Sequence, residues 1–126
     1  MSIGKEAGAF TSTATSMTKS TDAAGNHTFV MNIEGTVTGG MAGAALGTIT
    51  ATTADFQVGS YSADFAAYLA DGSVVTGLGS GVFGLSGTHN WQLNGTATLS
   101  NGARVATEGV LDLASRSYNG KMLEIS

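Results

Sequence analysis

Apolar residues recur along this chain mostly two positions apart. That is the period of a β-strand with one buried face, not of an amphipathic helix. The stretch "HTFVMNIEGTV" shows it well. Phe29, Met31, Ile33 and Val37 share one face, while Thr28, Asn32, Glu34 and Thr36 share the other. Read this way, the chain predicts about eight strands, at roughly 8–18, 27–38, 44–57, 61–70, 73–83, 88–99, 103–113 and 118–125. Turn chemistry separates them: "AAGN" at 23–26, "TGGMAG" at 38–43, "ADG" at 70–72, "GLSG" at 84–87 and "SNG" at 100–102.

A meander of that many strands leaves two unpaired edges. The chain has no proline and only three lysines with which to blunt them. Closure removes the edges, and about eight strands enclose a lumen that holds side chains or one small ligand. The expected fold is therefore all-β: one antiparallel up-and-down barrel over residues 1–126 with an apolar lumen. A sandwich would usually need longer crossovers.

One hairpin fixes which face points inward. A two-residue turn at Asn101-Gly102 would set Trp91 opposite Asp112, Gly95 opposite Glu108 and Leu99 opposite Arg104. A three-residue loop, Ser100 to Gly102 with Gly102 left-handed, instead pairs Trp91 with Leu111, His89 with Leu113 and Ala97 with Val105. Asn90, Gln92, Asn94, Arg104, Glu108 and Asp112 then form a polar face. A slip of one residue flips every side chain, so the second register is preferred. It puts His89 beside Trp91, Leu93, Leu111 and Leu113.

Composition narrows the classes. With 42% hydrophobic and 11% charged residues the chain reads as folded. Cysteine is absent, which excludes disulfides and a thiol nucleophile. The net charge is −4, and the basic residues Lys5, Lys19, Arg104, Arg116 and Lys121 are scattered, so no nucleic-acid partner is expected. No apolar run approaches the ~20 residues of a membrane helix, so no membrane partner is expected either. The start "MSIGKEAGAF" lacks the apolar middle of a signal peptide. A cytoplasmic protein is expected, or an exported one already trimmed. His27 and His89 lack zinc-ligand spacing, so no metal site is expected.

The segment "GSGVFGLSGTHNWQLNG", residues 79–95, resembles a stretch of the allene oxide cyclase-like and dirigent-like small barrels, including the spirotetronate cyclase type. Gly84-Leu85-Ser86-Gly87, Trp91, Leu93 and Gly95 carry the likeness, with "LADGSVV" at 69–75 before them. Gly79-Ser80-Gly81-Val82-Phe83 is similar to the dirigent G-T-G-x-F run, though the spacing to Gly87 is one residue shorter. The resemblance covers about a third of the chain. It implies an eight-stranded barrel that cyclises, isomerises or orients hydrophobic small molecules, without metal or cofactor, as a homodimer or homotrimer.

The candidate chemistry follows. His89, in an apolar lumen, would transfer or polarise a proton near neutral pH. Tyr118 is the best placed of the tyrosines as acid or orienter, ahead of Tyr61 and Tyr68. Asp64, if it faced His89, would complete an acid–base pair. Trp91, Leu93, Phe29, Met31, Phe65 and Leu111 are expected to line the substrate pocket. Glu34, Glu108 and Asp112 read as solvated. The leading expectation is a cofactor-independent isomerase, cyclase or lyase acting on a hydrophobic small molecule. The alternatives are a carrier of an apolar ligand, as in lipocalin-like barrels, and a structural barrel filled with side chains.

Overall fold

The computed structural model describes residues 3–125. They form eight strands: β1 (Ile3–Thr21), β2 (His27–Gly39), β3 (Gly43–Thr53), β4 (Val58–Leu69), β5 (Val74–Gly87), β6 (Asn90–Leu99), β7 (Arg104–Asp112) and β8 (Ser117–Ile125). Each pairs antiparallel with the next, and β1 closes on β8 through Ile3–Thr13 and Ser117–Ile125. This is the expected single up-and-down barrel, closed between β1 and β8 as far as Thr13.

The β6–β7 hairpin takes the three-residue loop. Gly102 has φ of 89°, and Trp91 pairs with Leu111 and Ala97 with Val105. The polar face of β6 therefore points outward. Gln92 bonds Asn94 along that face, and Glu108 meets Lys121 at 3.9 Å in an exposed ion pair.

Several boundaries differ from the pattern reading. "GLSG" is not a turn. Gly84 to Gly87 continue β5, with a bulge at Ser86, and the turn is Thr88-His89. Glycine density marked strand interior there, where a missing side chain lets the backbone bulge. Residues 54–57 are a loop, not the end of a strand. The Asp55 carboxylate accepts from the Gln57 and Val58 amides and turns the chain. Finally, β1 runs to Thr21 through a bulge at Thr15. Ala14 faces inward opposite Ile33, Thr15 is the extra residue, and Met17 faces inward opposite Met31.

The interior is graded in side-chain size. Aromatic rings lie across glycines on neighbouring strands. A Cβ at Gly59, Gly95 or Gly109 would stand 2.5 Å from Phe83, Tyr61 and Tyr118 respectively. Phe65 covers Gly77 in the same way. These rings fill the space the glycines leave and hold strands close where the sheet coils. The core forms two clusters. One gathers Met31, Ile49, Ala51, Tyr61, Leu93, Leu111 and Tyr118, and the other Val37, Met41, Val75, Ala97, Leu99, Val105 and Met122.

The outer wall is mostly threonine, serine and asparagine, though Leu46, Leu78 and Val82 are 50%, 68% and 63% exposed. Apolar-in and polar-out is the inverse of the alternation in outer-membrane barrels. Among the described residues no helix is long and apolar enough to cross a membrane.

Candidate functional site: an apolar cavity at one end of the barrel

The hairpins β1–β2, β3–β4, β5–β6 and β7–β8 gather at one end of the barrel, here called the upper end. Beneath them lies a cavity of about 300 Å³. Its lining is apolar throughout: Met17, Phe29, Met31, Ala51, Phe56, Phe83, Trp91, Leu93, Leu111 and Leu113. That volume is at the lower bound of small-molecule sites, and concave apolar walls are their usual material. Above Thr13, β1 has no strand beside it on the β8 side. Phe56 and Leu113, 42% and 39% exposed, stand at the mouth.

Trp91 builds one wall. Its partner across β5 is Leu85 and across β7 Leu111, so its parity is inward. The indole N–H donates to the Phe56 carbonyl at 2.8 Å. Phe56 has a left-handed backbone, φ 64°, which a bulky residue adopts only under constraint. Thr53 Oγ1 supplies part of that constraint by accepting from the Phe56 amide at 3.0 Å. The Phe56 ring stacks on His27, centroids 4.2 Å apart, and meets Phe29 edge-on at 5.8 Å.

A second, smaller cavity of about 90 Å³ lies deeper. The cluster of Met31, Ile49, Leu93, Tyr61 and Tyr118 separates the two. Tyr61 and Tyr118 both line this deeper space, with Ser12 and Thr107. The Tyr61 hydroxyl is 3.5 Å from Thr107 Oγ1, and the Tyr118 ring packs 5.0 Å from Phe10. Burial pushes Tyr61 above the ordinary tyrosine range. Burial first, and then the neighbouring Tyr61, push Tyr118 well above it. In both, burial favours the protonated hydroxyl over the phenolate.

Of the residues expected at the site, Trp91, Leu93, Phe29, Met31 and Leu111 line the upper cavity together. Phe65 and Tyr118 belong to the deeper one, which Asp64 also borders from its exposed position. Two placements are corrected. His89 is not on the lumenal face of a strand. It is exposed in the two-residue turn after β5, with φ of 54°. Its parity is inward, but the strand begins one residue later, and histidine tolerates the left-handed region that this turn demands. Asp64 is exposed on the outer face of β4, opposite Thr48 and Leu78. Its neighbours Ala63 and Phe65 take the inward positions, which rules out a pair with His89.

Met17, Ala51, Phe56, Phe83 and Leu113 complete the cavity and were not among the expected lining residues. The turn-forming "TADFQ" at 53–57 was the available signal for Phe56. His27 is the other omission. It shares the inward parity of β2 and forms part of the mouth with Thr21, whose Oγ1 lies 2.8 Å from His27 Nδ1. Comparison of the chain with protein-family models, with characterised proteins and with solved structures gives no match.

Proposed function

We propose that this barrel binds a hydrophobic small molecule in its upper cavity and holds it in a conformation from which it isomerises or cyclises. The observation that carries the reading is the cavity itself, with ten apolar lining residues and no polar one. Such walls contribute through orientation. Fixing a flexible substrate in a reactive shape lowers its barrier without side-chain chemistry. The resemblance of residues 79–95 to allene oxide cyclase-like barrels supports this class of reaction. The lyase variant draws less support, because elimination calls for a base and both lumenal tyrosines are held protonated.

A second reading is a carrier of an apolar ligand. The specific observation in its favour is that no titratable side chain lines the upper cavity. His89 and Asp64 lie outside it, and Tyr118 lies beyond the Met31–Ile49 layer.

One experiment separates the readings. The protein is incubated with a library of polyunsaturated or polyketide-like apolar compounds, and bound and free molecules are analysed by mass spectrometry and chromatography. A product of unchanged mass and altered retention, lost in Trp91→Ala, is the expected result. Ligand recovered unchanged assigns the barrel as a carrier. No capture of any apolar compound removes both.

A further inference from the structure

We infer that the ligand of the upper cavity is an amphiphile whose apolar body fills the cavity and whose carboxylate head meets Lys19 and His27 at the mouth. This rests on the reading of the cavity as a binding site and names the class of molecule it takes.

The argument begins at the Thr15 bulge. Because one extra residue is absorbed there, Met17, Lys19 and Thr21 all share the inward parity, opposite Met31, Phe29 and His27. Met17 and Phe29 line the cavity. Lys19 and Thr21 continue the same row beyond it, where β1 and β2 rise past the start of β8. The Lys19 ammonium donates to Thr21 Oγ1 at 2.8 Å. Thr21 Oγ1 also lies 2.8 Å from His27 Nδ1, so the three side chains form one hydrogen-bonded row. Lys19 keeps two N–H groups. His27 is fixed in place by its stack on Phe56, itself a wall of the cavity.

The carboxylates nearby are engaged by turn amides and make no ion pair with this row. Asp22 accepts from the amides of Ala24 and Asn26, Asp55 from those of Gln57 and Val58, and Asp112 from that of Ala114. Among the described residues the one ion pair is Lys121 with Glu108 on the outer wall, so neither Lys19 nor His27 has a carboxylate within 4.0 Å. Arg116 and His89 occupy turns at the same end. An apolar cavity thus opens onto a row of polar groups whose one fixed cation, Lys19, has no ion-pair partner. That is complementary to a tail with an acidic head. A cavity of 300 Å³ is twice the ~150 Å³ that admits one benzene, which sets the apolar body at about a dozen carbons.

The test uses the whole chain and its single tryptophan, Trp91, as the reporter. Dodecanoate, 1-dodecanol and dodecylamine are titrated separately below their aggregation limits, and binding is followed by indole fluorescence. Dodecanoate is expected to bind about tenfold more tightly than dodecanol, the counterpart of one charge-assisted contact. Lys19→Gln and His27→Gln should bring the two to near parity by weakening dodecanoate alone, while Lys19→Arg should keep the preference. Equal binding of acid and alcohol by the unsubstituted protein, or a preference for the amine, overturns the head-group assignment and leaves the cavity standing. So does an equal loss of both ligands in Lys19→Gln. Failure of all three ligands to bind overturns the cavity reading and this inference with it.

Discussion

The indole N–H of Trp91 in β6 donates to the main-chain carbonyl of Phe56 at 2.8 Å, joining the cavity wall to the loop at its mouth. Phe56 is held in a left-handed conformation, so the bond secures a residue whose own backbone disfavours its place. Trp91→Phe keeps an aromatic wall and removes the donor. It should lower stability by about 0.5–1.5 kcal/mol, the usual net worth of one hydrogen bond. Hydrogen exchange at Gln57 and Val58 should quicken at the same time. Unchanged exchange there would show that Asp55 and Thr53 hold the loop without help.

Ile49 is 2% exposed and belongs to the layer between the two cavities. Ile49→Ala should cost about 2–5 kcal/mol, as for other large-to-small core changes. It should also thin the partition, so that apolar ligands too long for the native barrel gain affinity relative to short ones. Chemical denaturation and Trp91 fluorescence titration measure the two effects.

Gly109 tests the ring-over-glycine packing. The nearest atoms to a methyl there all belong to the Tyr118 side chain, with Cε1 at 2.5 Å. Gly109→Ala should destabilise by roughly 1–3 kcal/mol through overpacking. Combined with Tyr118→Leu the loss should be less than additive, because the second change removes the clash. Strict additivity in a double-mutant cycle would contradict this packing.

Alkaline pH provides a fourth test. The folded state raises the Tyr61 and Tyr118 pKa values above the ordinary tyrosine value of about 10. The native state then holds these protons more tightly than the unfolded chain does. The stability involved is complete below pH ~10 and is lost as pH rises from there toward the raised values. Tyrosinate absorbance from these two residues should appear together with loss of near-ultraviolet circular dichroism. Tyr118→Phe should move the alkaline midpoint upward.

The register of β6 and β7 was legible because only one alignment across Ser100–Gly102 separates apolar from charged residues. Trp91, Leu93 and Leu111 followed from it, as did Phe29 and Met31 from the alternation in β2. Alternation shows which way a residue would face but not whether its strand has already ended. His89 was misplaced for that reason: its parity is inward, and its backbone belongs to a turn. Asp64 sits in "SADFAAY", where alanines occupy both faces and the apolar pattern loses its phase. Lys19 was hidden by the Thr15 bulge. A strict two-residue period carried on from Ala14 puts Met17 and Lys19 on the outside. The Trp91–Phe56 bond joins residues 35 apart in sequence, and no local pattern encodes it.

The pairing of β1 with β8 has one more outcome. Ile3 and Ile125 are paired across the two strands, at the end of the barrel opposite the cavity mouth. A short linker there would make the chain a ring, and new termini opened at 100–102 would lie at the same far end. Such a circular permutant should keep its mouth unobstructed, as should a fusion partner carried on either original terminus.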